Sequence, residues 1–264
     1  MLKMNKIPFC AYNKLFSPYV DDILKITRSV VERGAFIMGQ DLRDLELTIA
    51  KRISVKHAVG VGNATDGLEM LIAAHSMPKG AEVLVSAHTM AATASAVVAC
   101  GGKPIPVDID VFGMMDPGDL ERHITKKTWA IMPTQLNGAI CQIDDIIKVA
   151  EKYGLKVFED SAQALCASLS GRHAGSFACG GVFSFYPAKI LGCLGDGGMI
   201  VTNDSNIYDK LLSIRDHGRE QGGNVIAAGR NSRLDNLQAA YLNYFLENHF
   251  EGWISHRQSL TELY

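Results

Sequence analysis

Cysteine is sparse and scattered, six thiols in 264 residues with none in a CxxC pair. That excludes a disulfide scaffold and a zinc-finger or dithiol motif, and sets reduced thiols in a cytoplasmic protein, with no metal site, as the expectation. Nowhere do 18 apolar residues run uninterrupted, and the opening MLKMNKIPFCAYNKLF holds no apolar core of the signal-peptide kind, so neither a membrane span nor export is expected. Charge of neither sign is in excess. The 26 Lys and Arg against 28 Asp and Glu leave a net −2, which provides no basic field for nucleic acid or an anionic membrane. The expected partners are therefore small molecules or other protein subunits. With 47% hydrophobic and 20% charged residues the chain can bury a sizeable core, and at this length one large domain, or one domain with a small appendage, is expected.

The chain does have alternation. Residues 17–34 (SPYVDDILKITRSVVERG) space apolar groups at helical intervals between Ser17-Pro18 and Gly34, which predicts an amphipathic helix with proline at its start and glycine past its end. Further helices are predicted over 40–53 and 65–75. Short apolar strands are predicted at 57–61, 82–86 (EVLVS), 104–107, 129–133 (WAIMP), 155–159 (LKVFE), 181–185 and 198–202, with helical stretches at 89–101, 117–124 and 142–153 between them. Strands and helices in that order predict an α/β fold, a doubly wound, mainly parallel, seven-stranded sheet flanked by helices. Ligands of such sheets collect at the carboxyl ends of strands, where three segments stand out.

Gly60-Val61-Gly62-Asn63-Ala64-Thr65-Asp66-Gly67 runs from a strand through small residues into a helix, and amides at that N-terminus, with the Thr65 hydroxyl, suit a phosphate. As a dinucleotide fingerprint it fails, because Thr65 stands where a third glycine belongs and strand 82–86 ends in Ser-Ala-His with no acidic ribose ligand. A plain turn capped by Asn63 or Thr65 competes. In Phe158-Glu159-Asp160-Ser161-Ala162-Gln163-Ala164 a carboxylate emerges as a strand ends. Asp160 is either a helix N-cap or a partner for a protonated heterocyclic nitrogen. In Phe183-Ser184-Phe185-Tyr186-Pro187-Ala188-Lys189-Ile190-Leu191-Gly192, Lys189 lies between an apolar strand and a glycine-rich turn that leads into MIVT. It is either a solvated charge or a partly buried amine of lowered pKa, suited to a Schiff base.

Together and in this order, N-A-T-D-G-L, E-D-S-A-Q-A and F-S-F-Y-P-A-K-I-L-G-C-L-G-D-G-G resemble the pyridoxal-phosphate (PLP) sugar aminotransferases of the DegT/DnrJ/EryC1/StrS family, within the aspartate aminotransferase fold. The likeness extends to 34–39 (GAFIMG), 215–218 (RDHG) and 229–240 (GRNSRLDNLQAA). The resemblance implies that Lys189 binds the cofactor covalently and shuttles the substrate proton, and that Asp160 pairs with the pyridinium nitrogen. It implies Gln163 near the ring's O3′, and Ala64, Thr65 and Ser184 on the 5′-phosphate. Asn231 is implied to reach the phosphate of a neighbouring subunit, hence a homodimer with shared active sites. The implied activity moves an amino group, from glutamate as donor, to a keto group of a nucleotide-linked deoxysugar for cell-surface polysaccharide or related glycan biosynthesis.

The departures are specific. The ring-stacking position, usually aromatic in the family, is Met90, which can pack on a ring face or simply fill core. At Gln135-Leu136-Asn137-Gly138 the family more often carries His and Tyr, and His88 is expected to be structural or to act through a neighbour. Arg230 and Arg233 suit a carboxylate or phosphate but equally suit salt bridges. The expected organisation is an N-terminal segment over 1–16, a PLP-binding large domain over 17–245, and over 246–264 the start of a linker helix to a C-terminal small domain that family members carry and this chain lacks. A catalytically silent binding or regulatory subunit is the alternative from another class. A sugar 3-dehydratase of the same fold is disfavoured because those enzymes typically replace the lysine by histidine.

Overall fold

The computed structural model describes residues 8–220 and 222–263; residues 1–7 of the expected N-terminal segment, and Tyr264 of the expected linker helix, lie outside them. The chain runs α1 (Tyr12–Phe16), a 3₁₀ turn (Ser17–Tyr19), α2 (Val20–Arg33), α3 (Gln40–Ile53), β1 (His57–Val61), α4 (Ala64–Ala74), β2 (Glu82–Ser86), α5 (Ala91–Ala99), β3 (Lys103–Val107), α6 (Pro117–Leu120), a second 3₁₀ turn (Glu121–His123) and β4 (Thr128–Met132). It continues with α7 (Ile143–Tyr153), β5 (Lys156–Val157), β6 (Glu159–Asp160), the hairpin β7 (Ser168–Leu169) and β8 (Arg172–His173), β9 (Gly181–Ser184), β10 (Gly198–Thr202), α8 (Ser205–Arg215), α9 (Asn236–Asn248) and α10 (Phe250–Thr261).

Two sets of four strands, β3-β2-β4-β5 and β6-β9-β10-β1, are one sheet, because β5 and β6 are a single extended segment interrupted at Phe158. The Phe158 amide donates to Ile131 O at 3.0 Å and the Asp160 amide to Pro133 O at 3.0 Å on one side, while the Glu159 amide donates to Gly180 O at 2.9 Å on the other. The order is β3-β2-β4-β5/β6-β9-β10-β1. Every neighbouring pair is parallel except those made by β10, which runs against both β9 and β1.

The strands read as continuous apolar runs because both faces are covered. Side chains alternate across a sheet, and here Val83, Val85, Ala130, Met132, Val182 and Ile200 pack with Leu68, Leu71, Val97 and Leu211 of α4, α5 and α8. On the opposite face Leu84, Ile131 and Val157 meet Ile143 and Ile146 of α7, and Phe183, Met199 and Val201 meet Leu45, Ile49, Leu242 and Phe245 of α3 and α9. One-sided strands would alternate polar with apolar; these cannot.

Most expected elements form, with corrected ends. The helix expected at 17–34 opens as a 3₁₀ turn with Pro18 inside it and becomes α-helical at Val20, then ends at Gly34 with φ +62° as the sequence pattern requires. The helix expected at 89–101 starts at Ala91, and that at 117–124 is four α-helical residues followed by 3₁₀. The division expected at 245/246 falls inside α9, and Phe250 of α10 is buried in the same cluster as α3 and α9.

Candidate active site at the carboxyl ends of the strands

Register brings the first and third segments together. Val61 of β1 pairs with Gly198 of β10, and Gly198 with Ser184 of β9, so the three lie in one row across the sheet. From Val61 the chain passes to Asn63, whose Oδ1 caps α4 by accepting from the Asp66 amide at 2.8 Å. The amides of Ala64 and Thr65, in the first turn, have no intrahelical acceptor and carry the positive end of the helix dipole. Gly198 is glycine for a steric reason: a Cβ there would stand 2.6 Å from Asn63 C and 2.8 Å from Ala64 N, so the start of α4 seats directly on β10. Ser184 remains half-buried, its Oγ accepting from the Tyr186 amide at 3.2 Å. The capped turn is realised by Asn63, and that cap leaves the first-turn amides of Ala64 and Thr65 without an intrahelical acceptor.

Asp160 ends β6 with 3% exposure. No helix starts there, so it is not an N-cap. Its Oδ1 accepts from the Ala162 amide at 3.2 Å and its Oδ2 from the Thr93 hydroxyl at 2.6 Å. Burial pushes this carboxyl up from the usual range, against the hydrogen bonds of Thr93 and Ala162 and the charge of Lys189. Lys189 lies on a loop that closes on itself: its amide donates to Tyr186 O at 2.8 Å, the Cys193 amide to Phe185 O at 2.8 Å, and a Cβ on Gly192 would stand 2.7 Å from Pro187 O. The lysine is half-buried, and burial pulls its ammonium below the ordinary lysine value while the Asp160 charge works the other way. Beside this loop opens a cleft of about 420 Å³ between Tyr12, Phe16, Tyr186, Pro187, Leu194 and Gly195.

The remaining expected residues divide. Met90 is 63% exposed, so it is not core filler; its Sδ accepts from the Ala92 amide at 3.0 Å at the N-terminus of α5. Gln163 is half-buried and its Oε1 accepts from the Asn137 amide at 3.3 Å. Asn231 is exposed, next to Ser232, whose Oγ accepts from the Gly62 amide at 3.1 Å. His88 is exposed and meets Gly113 O at 2.9 Å. Gln135 is fully buried, bonding Glu159 and the Cys141 amide. Of the two readings of the arginines, the ion-pair one is realised: Arg230 bonds Glu69 and Arg233 bonds Asp216. Sequence reasoning missed Thr93, together with Thr89 and Thr134, which stand in hydrogen-bond contact behind Asp160. The available signal was the i, i+4 spacing of Thr89 and Thr93 at a helix start, which puts both hydroxyls on one side.

A mainly parallel sheet with one reversed strand, flanked by helices on both faces, is the fold of the PLP-dependent aminotransferases. The chain belongs to the DegT/DnrJ/EryC1/StrS aminotransferase family, whose model matches residues 19–264. It is 40% identical over 243 residues to the UDP-N-acetyl-3-dehydro-alpha-D-glucosamine 3-aminotransferase of Acidithiobacillus ferrooxidans, covering 92% of this chain and 66% of that protein. The crystal structure of DesV from S. venezuelae superposes with a TM-score of 0.91 at 34% identity over 97% of this chain and 69% of DesV. NtdA of Bacillus subtilis, solved with bound cofactor PMP, gives 0.84 at 31% identity, over 94% of this chain and 58% of NtdA. The chain thus spans about two thirds of the length of the relatives it matches.

Proposed function

We propose that this chain is a PLP-dependent aminotransferase that moves an amino group from glutamate to the keto group of a nucleotide-linked deoxysugar. The observation that carries the reading is that the buried Asp160 ends β6, the half-buried Lys189 follows β9, and the end of β1, which leads into α4, lies in register with the end of β9, all at one end of the sheet. The side chains suit the cofactor's chemistry. Asp160 is a buried carboxyl whose burial works against its charge, and a cationic ring nitrogen would add to the support it has from Thr93, Ala162 and Lys189. Ala64 and Thr65 offer first-turn donors and Ser184 a hydroxyl across the row from them, as a phosphate needs. When bound, PLP supplies an electron sink that acidifies the substrate carbon next to nitrogen.

This chain's residues do the rest. With PLP bound, Asp160 would hold a proton on the ring nitrogen, Lys189 would bind the cofactor and supply the amine that moves a proton at the substrate carbon, and Met90, exposed at the start of α5, would offer its thioether to the ring. Gln163 would serve the ring oxygen. Asn231, exposed on its own subunit, reaches the phosphate site of a second copy in a homodimer, which sedimentation of the purified protein would test. The sugar nucleotide relative supports the acceptor class.

An absorption spectrum with added PLP, before and after excess glutamate, tests the reading. The expected result is a visible band that glutamate moves to the ultraviolet, absent in Lys189→Ala. No band in the wild-type chain would overturn it and favour a silent binding subunit.

A further inference from the structure

We infer that a one-way chain of threonine hydroxyls, from Thr134 through Thr89 to Thr93, keeps the buried Asp160 carboxylate charged and aimed, making Thr93 a positioning residue; the inference rests on the cofactor-pairing role proposed for Asp160. Thr93 Oγ1 lies 2.6 Å from Asp160 Oδ2, Thr89 Oγ1 lies 2.7 Å from Thr93 Oγ1, and Thr134 Oγ1 lies 2.8 Å from Thr89 Oγ1. The three come from different places, the turn before α5, α5 itself and the segment after β4, where Thr134 sits in register with Asp160. Thr93 is fully buried and Thr134 and Asp160 are each 3% exposed, while Thr89 is half-buried, so bulk water does not stand in for the Thr93–Asp160 bond.

The direction follows from counting protons. A hydroxyl has one. Thr93 donates its proton to the carboxylate, so Thr89 must donate to Thr93, and Thr134 to Thr89. All three dipoles then point their positive ends at Asp160, and successive bonds polarise one another. Putting a proton on Oδ2 would reverse the row and leave the Thr134 proton at its far end, where among the described residues no acceptor is bonded to it. A proton on Oδ1 would keep the row's direction but weaken its last bond, because a charged oxygen is the stronger acceptor, so the row favours the charged form.

The other groups facing Asp160 do not duplicate this. Its Oδ1 takes the Ala162 amide, its carbonyl takes the Gln135 amide, and Val182 of β9 beside it is apolar. Lys189 is the charged side chain that acts on it. Glu159, one residue back, turns to the opposite side of the strand and accepts from the Gly175 and Phe177 amides and from Gln135.

The test uses the cofactor-free protein labelled with ¹³C at aspartate carboxyls, the Asp160 resonance being the one missing from Asp160→Asn. Thr93→Val should raise its titration midpoint by about one pH unit and weaken PLP binding by about tenfold at pH values below the wild-type midpoint, where the ionised fraction falls by that factor. Thr93→Ser should restore both, and Thr89→Val should raise the midpoint by less. An unmoved midpoint in a folded Thr93→Val, or a Thr93→Ser that behaves like valine, overturns the inference. If Thr93→Val does not fold, Thr89→Val and Thr134→Val, which leave Thr93 in place, decide it: a raised midpoint supports the row and an unmoved one overturns it. Because the midpoint is read without cofactor, a chain that never takes up PLP defeats the proposed function alone, whereas normal uptake with unmoved midpoints defeats only the threonine row.

Discussion

Lys189 is the most informative single residue, because its environment makes a claim that differs in sign from that of the surface lysines. Burial lowers its pKa. Lys148 and Lys152 are exposed and held upward by Asp145 and Glu121. At a given pH below these values the Lys189 amine is therefore the more deprotonated, and only the free amine attacks an acylating reagent. Trace acetylation followed by peptide mass spectrometry across pH 7 to 12 should give Lys189 the lowest midpoint of the three and Lys148 and Lys152 the highest. A midpoint at or above those of the surface pair would remove the nucleophile from the site. Lys189 and Asp160 were legible as candidates because each follows an apolar strand, and the roles expected of them came from the family resemblance of the three segments together. Thr93 was not, since in AATASAVVA it reads as one more helix residue and only the fold brings it to Asp160.

At the scale of elements, the seam between β10 and α4 holds the proposed phosphate cradle, and it is made by the absence of a side chain at Gly198. The atoms a Cβ would strike are the backbone of Asn63 and Ala64, which cannot swing aside as a side chain does. Gly198→Ala should lose about 1–3 kcal/mol in urea unfolding through overpacking, and its PLP affinity should fall with it as the first turn of α4 is pushed away. Gly252 of α10 is the control: nothing lies within 4 Å of its added Cβ, and Gly252→Ala should gain about 0.5–1 kcal/mol from helix entropy. If Gly198→Ala behaved like Gly252→Ala, the seam would not be what positions the cradle. The seven strands were readable because runs such as EVLVS and WAIMP are too short for buried helices and are closed by polar or breaking residues. The β7–β8 hairpin escaped because each strand is two residues long, too short to show a period. The segments α8 and α9 carry polar residues among their apolar ones, and their cores are built from contacts far away in sequence with α2, α3 and α4.

For the molecule as a whole, the sheet is continuous only because the 156–160 segment pairs on both sides, and at its centre the sheet buries an acid that the proposed chemistry does not use. Glu159 is held by the Gly175 and Phe177 amides and by Gln135, all at 2.8–3.1 Å, and so ties the β8–β9 connection to the segment after β4. Burial nonetheless lifts its pKa from 4.5 to about 6, more than these hydrogen bonds lower it. An acid whose folded pKa is raised binds more protons folded than unfolded between the two values, so its contribution to stability is full below about pH 4.5 and is lost as pH rises through about 6. The loss is about 2 kcal/mol. His75, whose pKa burial lowers from 6.5, gives a slope of the opposite sign just below that value, and Asp160 adds its own raised carboxyl; both are present in Glu159→Gln as well and cancel in a difference. Urea unfolding of the cofactor-free wild type and Glu159→Gln should therefore show the variant less stable throughout, since an amide replaces an acceptor among donors, with the gap narrowing by about 2 kcal/mol between pH 4.5 and 7. A gap that stays constant would mean Glu159 titrates normally and that its three donors fully offset burial. A gap that widens toward neutral pH would mean they more than offset it, and the two halves of the sheet would then be joined by a carboxylate that stabilises them charged.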